Sequence, residues 1–99
     1  MNSFDKIYKI VASIPKGKVA TYQLVSQIAK IGNPRVIGFA LHQNKTPDTV
    51  PCHRVVHKTG KLAEGFAFGG PAAQRKKLQK EGVFFLDEET VDLSRSLIN

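Results

Sequence analysis

Ninety-nine residues, 41% of them hydrophobic and 23% charged, suffice for one compact domain with a modest core and exclude a disordered or fibrous chain, so a single unit over residues 1–99 is expected. Fifteen Lys and Arg against eight Asp and Glu give a net charge of +7, a bias toward a polyanionic partner. The absence of a long apolar run and of a signal-like start in MNSFDKIYKI points away from membrane and secretion and toward the cytoplasm, and the one cysteine excludes an internal disulfide or a CxxC zinc site.

In chain order, Phe4, Ile7, Tyr8, Val11 and Ile14 recur at three- and four-residue steps between charged positions, which predicts an amphipathic helix with Ser3 as cap and Pro15 as its end. Pro15-Lys16-Gly17-Lys18 has turn chemistry. Thr21 then caps a second helix, with Leu24, Val25, Ile28 and Ile31 as its apolar face and a stop near Gly32. Asn33-Pro34 reads as an N-cap with proline at the first helical position, so a third helix is predicted from Arg35 to about His42. Two short helices joined this way form a helix-turn-helix.

Asn44 to Asp48 is loop-like, and Val50-Pro51-Cys52-His53-Arg54-Val55-Val56 is expected to lead into a short extended segment rich in β-branched residues. Four glycines and two phenylalanines in residues 57–70 predict a hairpin or wing. A basic helix should follow from Ala72 to Lys80, closed by Gly82. The tail is expected to begin as a strand over Val83–Leu86 and then turn acidic and helix-compatible. The fold class expected is α/β, mainly α: a winged helix-turn-helix-like domain with a short β-hairpin wing.

The chemistry concentrates at Cys52, where His53 and Arg54 place a base and a fixed positive charge beside a thiol that reacts as its thiolate. By composition alone Cys52 is either an inert core thiol or a chemical tool. Likewise Tyr22 has a core-aromatic reading, Arg35 and Glu81 a solvated-charge reading, and Asn44 an ordinary-turn reading.

Pro51-Cys52-His53-Arg54-Val55-Val56 resembles the active-site signature of O6-methylguanine-DNA methyltransferases. Ile14 to Val19 with Thr21-Tyr22 resembles the approach to that family's helix-turn-helix, and Asn33 to Gly38 with Ala40-Leu41 resembles its recognition helix. Asn44 and Pro47 stand at the family's distance before the cysteine, and Leu78 with Glu81-Gly82 resembles its closing helix, so the resemblance covers about residues 4 to 86.

The resemblance implies that double-stranded DNA carrying O6-alkylguanine is the partner, that the damaged nucleotide is flipped from the duplex, and that Cys52 accepts the alkyl group irreversibly. It further implies that His53 takes the thiol proton through a water, that Glu81 orients the imidazole, that Tyr22 turns the phosphate and protonates the departing guanine, and that Asn44 holds the loop before the site. Arg35 would fill the gap in the base stack. Pro34 and Val36, with Tyr22 and Arg54, complete the expected DNA contacts, and the helix would enter the minor groove.

Phosphate contacts are open to Lys58, Lys61, Arg75, Lys76, Lys77 and Lys80. No role is implied for His42 or His57, no cofactor or metal is expected, and the protein should be a monomer. The family's usual tyrosine-containing wing turn is missing from Leu62 to Gly70, and the N-terminal domain of many members is not expected in a chain this short. The stretch Gln74 to Val83 is also similar to alkyltransferase-like proteins, which bind alkylated guanine without repairing it. Three readings therefore stand: a suicide methyltransferase, a non-enzymatic lesion binder that recruits excision repair, and a winged helix-turn-helix regulator.

Overall fold

Ile7 and Val11 are completely buried, so the stripe at three- and four-residue spacing is the inner face of the first helix, α1 (Ser3–Ala12); the helix stops short of Pro15, and Ile14, also buried, lies in the bend beyond it. The structure, a computed structural model, describes residues 3–98, without the side chain of Ser3, so the cap expected there lies outside the described residues. Beyond the turn at Pro15, β1 (Ala20–Thr21) leads into α2 (Tyr22–Ala29) and α3 (Pro34–His42), both packed against α1. The N-caps of α2 and α3 are those the sequence announces. Thr21 Oγ1 accepts from Leu24 N at 3.0 Å, and Asn33 Oδ1 accepts from Arg35 N at 3.0 Å.

α2 ends at Lys30, earlier than Gly32, because Lys30 adopts a left-handed conformation (φ 58°) and its N–H bonds back to the last turn. Its buried face is Val25, Ser26 and Ala29, while Ile28 is left exposed on the far side.

The chain then forms a 3-10 turn (Cys52–Arg54) that leads into β2 (Val55–Val56), the short extended segment expected there. β2 pairs with β1 in parallel, Ala20 opposite Val55 and Thr21 opposite Val56. Successive strand side chains point to opposite faces. Ala20 and Val55 therefore enter one core, built on α1 to α3 with Cys52 and Phe66, while Val19 and Val56 enter a second with Leu62, Leu78, Val83 and Val91. The two-residue ladder is the plate between them, and Cys52 sits at its edge.

The strand pair is thus a parallel crossover rather than the expected β-hairpin wing. Residues 57–61 do close a tight turn, with His57 N bonding Lys61 O and Gly60 N bonding His57 O, but no ladder follows it. Lys61 instead pairs with Thr90 of the tail, and Leu62 N bonds Glu89 O. Gly60 permits this approach: it has a positive φ, and a Cβ there would run into the Val91 carbonyl.

α4 (Gly70–Lys80) begins two residues before Ala72. The tail forms no regular strand at 83–86. It folds back through the Phe85–Val91 bridge into a short helix, α5 (Leu93–Ser96), and Leu97 pairs with Val19 through bonds of 2.8 and 2.9 Å. Arg75 holds this return, stacked on Phe85 and donating to Asp87 O at 3.0 Å.

Candidate active site

Pro51 and the 3-10 turn bend the backbone at the plate between the cores, which buries Cys52 and His53 at 5% and 7% exposure. The loop leading there is laced by Asn44, itself buried, whose Nδ2 donates to Val50 O at 2.9 Å while its Oδ1 accepts from Thr46 N at 3.1 Å. Asn44 therefore fixes where the turn begins.

His53 Nε2 lies 3.0 Å from Glu81 Oε1, at the end of α4. The approach is off the line of the ring N–H, so this is a close polar contact rather than an aligned hydrogen bond. Glu81 is itself held by Arg54, whose Nε and Nη2 donate to its two oxygens at 3.0 and 2.8 Å, while Nη1 donates to Ile14 O at 2.8 Å. Such a two-point fork fixes both partners. The guanidinium of Arg54 is thus engaged inside the domain at all three nitrogens.

Burial pushes the Cys52 thiol up, more than Asn44, nearby backbone groups and Lys77 bring it down. Burial pushes the His53 imidazole down despite Glu81, so at neutral pH it is an uncharged base. For Glu81 burial acts upward but is outweighed by the bonds from Arg54 and the contact with His53, and the carboxylate stays ionised. The result is a neutral thiol next to a neutral base backed by an anion, the ordering a proton relay needs.

Tyr22, the first residue of α2, packs beside Gly38 of α3, and its ring centroid is 5.3 Å from that of His57. Burial pushes its phenol up to about 12, so it holds its proton across the working range. With Gly38, Leu41 and Phe66 it walls a cavity of about 20 Å³ on Cys52, room for one water and not for a purine. Adjoining this is a groove of about 560 Å³ between α3 and the 63–65 segment, reached by Pro34, Arg35 and Glu64. His42 Nδ1, 3.3 Å from Gly65 O, ties that segment to the end of α3.

The structure brings Cys52, His53, Glu81, Arg54 and Asn44 together around one turn and sets Tyr22 against the same cavity. Pro34 and Arg35 stand exposed at the start of α3, whereas Val36 is half-buried against the first core. Gln74 escaped the sequence reading. Completely buried, it accepts from Ala63 N at 2.8 Å and donates to the His53 and Val55 carbonyls, each at 3.0 Å, joining α4, the site turn, β2 and the 63–67 segment. The signal was its place one helical turn before Leu78, an uncharged polar residue on the inner face of an otherwise basic helix.

Fold and site together define a helix-turn-helix domain with a buried cysteine and histidine and a half-buried glutamate gathered at one turn. Residues 2–83 match the family model described as 6-O-methylguanine DNA methyltransferase, DNA binding domain. The chain belongs to this family. It is 38% identical over 78 residues to a methylated-DNA–protein-cysteine methyltransferase of Methanothermobacter thermautotrophicus, covering 79% of this chain but only 43% of that protein. It is 36% identical over 96 residues to the DNA base-flipping protein of Escherichia coli, covering 92% of this chain and 70% of that one. Among solved structures, Atl1 of Schizosaccharomyces pombe in complex with damaged DNA containing O6-carboxymethylguanine superimposes with a TM-score of 0.83 at 25% identity, over 98% of this chain and 94% of that one.

Proposed function

We propose that this protein binds duplex DNA, flips out an O6-alkylated guanine and transfers the alkyl group to Cys52, each chain acting once. The observation that carries the reading is the Cys52–His53–Glu81 arrangement in the turn beside the helix-turn-helix. His53, neutral by burial, accepts the thiol proton through a water. The thiolate then attacks the alkyl carbon, the S–C bond forms as the C–O6 bond breaks, and the electron pair leaves on the guanine, which Tyr22 protonates. The Tyr22 phenolate is in turn neutralised by the proton held on His53 or by solvent. Glu81 stabilises the imidazolium formed in the first step.

Arg54 serves this site by fixing Glu81 and is not a DNA contact in this reading, since each of its three nitrogens is already engaged inside the domain. Pro34 and Arg35, exposed at the start of α3, meet the duplex, with Arg35 filling the vacated stack; Val36 supports them from beneath. For the base to reach Cys52 the 63–67 segment swings away from α3, breaking the His42–Gly65 contact.

A second reading, lesion binding without transfer, is favoured by the likeness to the base-flipping protein and Atl1. The shared part of both readings is tested by binding. Cys52→Ala should prefer an O6-methylguanine duplex over its undamaged twin by about tenfold or more, and equal affinity for the two contradicts both. Tyr22→Phe separates them: it slows transfer while leaving lesion affinity within about twofold, because its hydroxyl acts in the chemical step.

A further inference from the structure

On the other side of the His53–Glu81 pair lies a cleft of about 570 Å³ that shares no lining residue with the groove beside α3 or with the cavity on Cys52. Its floor is made by His53, Arg54 and Glu81, and its walls by the 47–51 loop, the turn after α1 and the last turn of α4. Three lysines face it: Lys16 from the turn, and Lys77 and Lys80 from α4. Glu81 is occupied by Arg54, which leaves Asp48 as the one lining carboxylate set against those three cations. The buried Nε2 of His53 has no aligned hydrogen bond there.

We propose that this cleft binds an oxyanion, a phosphate or a small phosphate-bearing molecule held by Lys16, Lys77 and Lys80, and that filling it slows alkylation of Cys52. Lys77 supplies the coupling: its charge brings the Cys52 thiol down, favouring the thiolate, and the same charge helps keep the His53 imidazole uncharged. An anion on Lys77 cancels that field, and the thiolate, the form that reacts, becomes scarcer. The effect on Cys52 rests on its role as nucleophile, whereas the site itself does not.

The test is a titration of the whole chain with inorganic phosphate, without DNA, at constant ionic strength. Backbone amide resonances of Asp48, Thr49 and Lys80 should shift saturably with phosphate and not with matched chloride. In Lys77→Gln/Lys80→Gln the apparent affinity should fall about tenfold or more, the loss of two charge-assisted contacts. If the double variant does not fold, Lys16→Gln tests the same wall and should also weaken the affinity. Linear shifts, equal shifts with chloride, or an affinity unchanged in the folded variant overturn the site.

Iodoacetamide alkylation of Cys52, followed by mass, should slow roughly two- to threefold at saturating phosphate in the wild type and not in the variant. Undiminished alkylation of the phosphate-bound protein overturns the coupling. A chain that gained no methyl group from damaged DNA would leave both readouts intact, so the two failures are told apart.

Discussion

Replacing Gln74 by Met keeps the volume of the side chain and removes its amide. Three backbone groups then lose a hydrogen bond in the interior: Ala63 N, His53 O and Val55 O. Leaving a buried polar group unpaired costs about 1–3 kcal/mol, so the substitution should destabilise the domain by roughly 3 kcal/mol or more. In a domain of this size each kcal/mol lowers Tm by about 4–8 °C, giving a fall of roughly 12 °C at least. Urea unfolding followed by circular dichroism measures the change, and the slope of free energy with denaturant should stay constant if only stability has moved. A loss below about 1 kcal/mol would refute the reasoning, because it would mean that Gln74 is not what satisfies these three groups.

Two further outcomes follow from the same geometry. Arg54→Lys keeps a charge but loses the fork on Glu81, so transfer should slow while the salt dependence of DNA binding stays unchanged; a salt slope shallower by about one would instead make Arg54 a phosphate contact. The second concerns acid. Because the folded His53 pKa lies below its ordinary value of 6.5, the unfolded chain binds its proton first, and stability falls as pH drops below 6.5 toward the folded value. The folded Glu81 pKa lies below 4.5, so its contribution is present above 4.5 and is lost only as pH falls further through the folded value. A thermal-melt series should therefore begin to decline below pH 6.5 and steepen below 4.5, and His53→Gln should remove the first limb alone.

What was legible in the sequence was local. The spacing of Ile7 and Val11, the caps Thr21 and Asn33, and the proline at the start of α3 each act within a few residues, and each marks an element that forms, though α1 ends at Ala12 and not at Pro15. The site motif was legible because Cys52, His53 and Arg54 are adjacent in the chain. The long-range pairings were not. Nothing in residues 57–70 says that Lys61 will pair with Thr90 rather than fold onto its own hairpin; that choice is made by the returning tail and by the bare approach at Gly60.

Val83 to Leu86 has strand composition, yet only Phe85 finds a bridge partner there, and the acidic stretch after it is a turn. In the sequence Arg75 reads as a cation available to phosphate and Arg54 as a charge beside the thiol and a DNA contact. In the structure Arg75 stacks on Phe85 and Arg54 grips Glu81, partners 10 and 27 residues away. Gln74 shows the same limit, since its three partners lie on three different segments.

The central claim is tested most directly by the intact mass of the protein after incubation with a duplex containing O6-methylguanine, with Cys52→Ser in parallel. The account predicts a gain of one methyl group per chain in the wild type, located on Cys52 by peptide mapping, and none in the variant. An unchanged wild-type mass under conditions where the protein is bound to the lesion would contradict transfer and make this a lesion-binding member of the family.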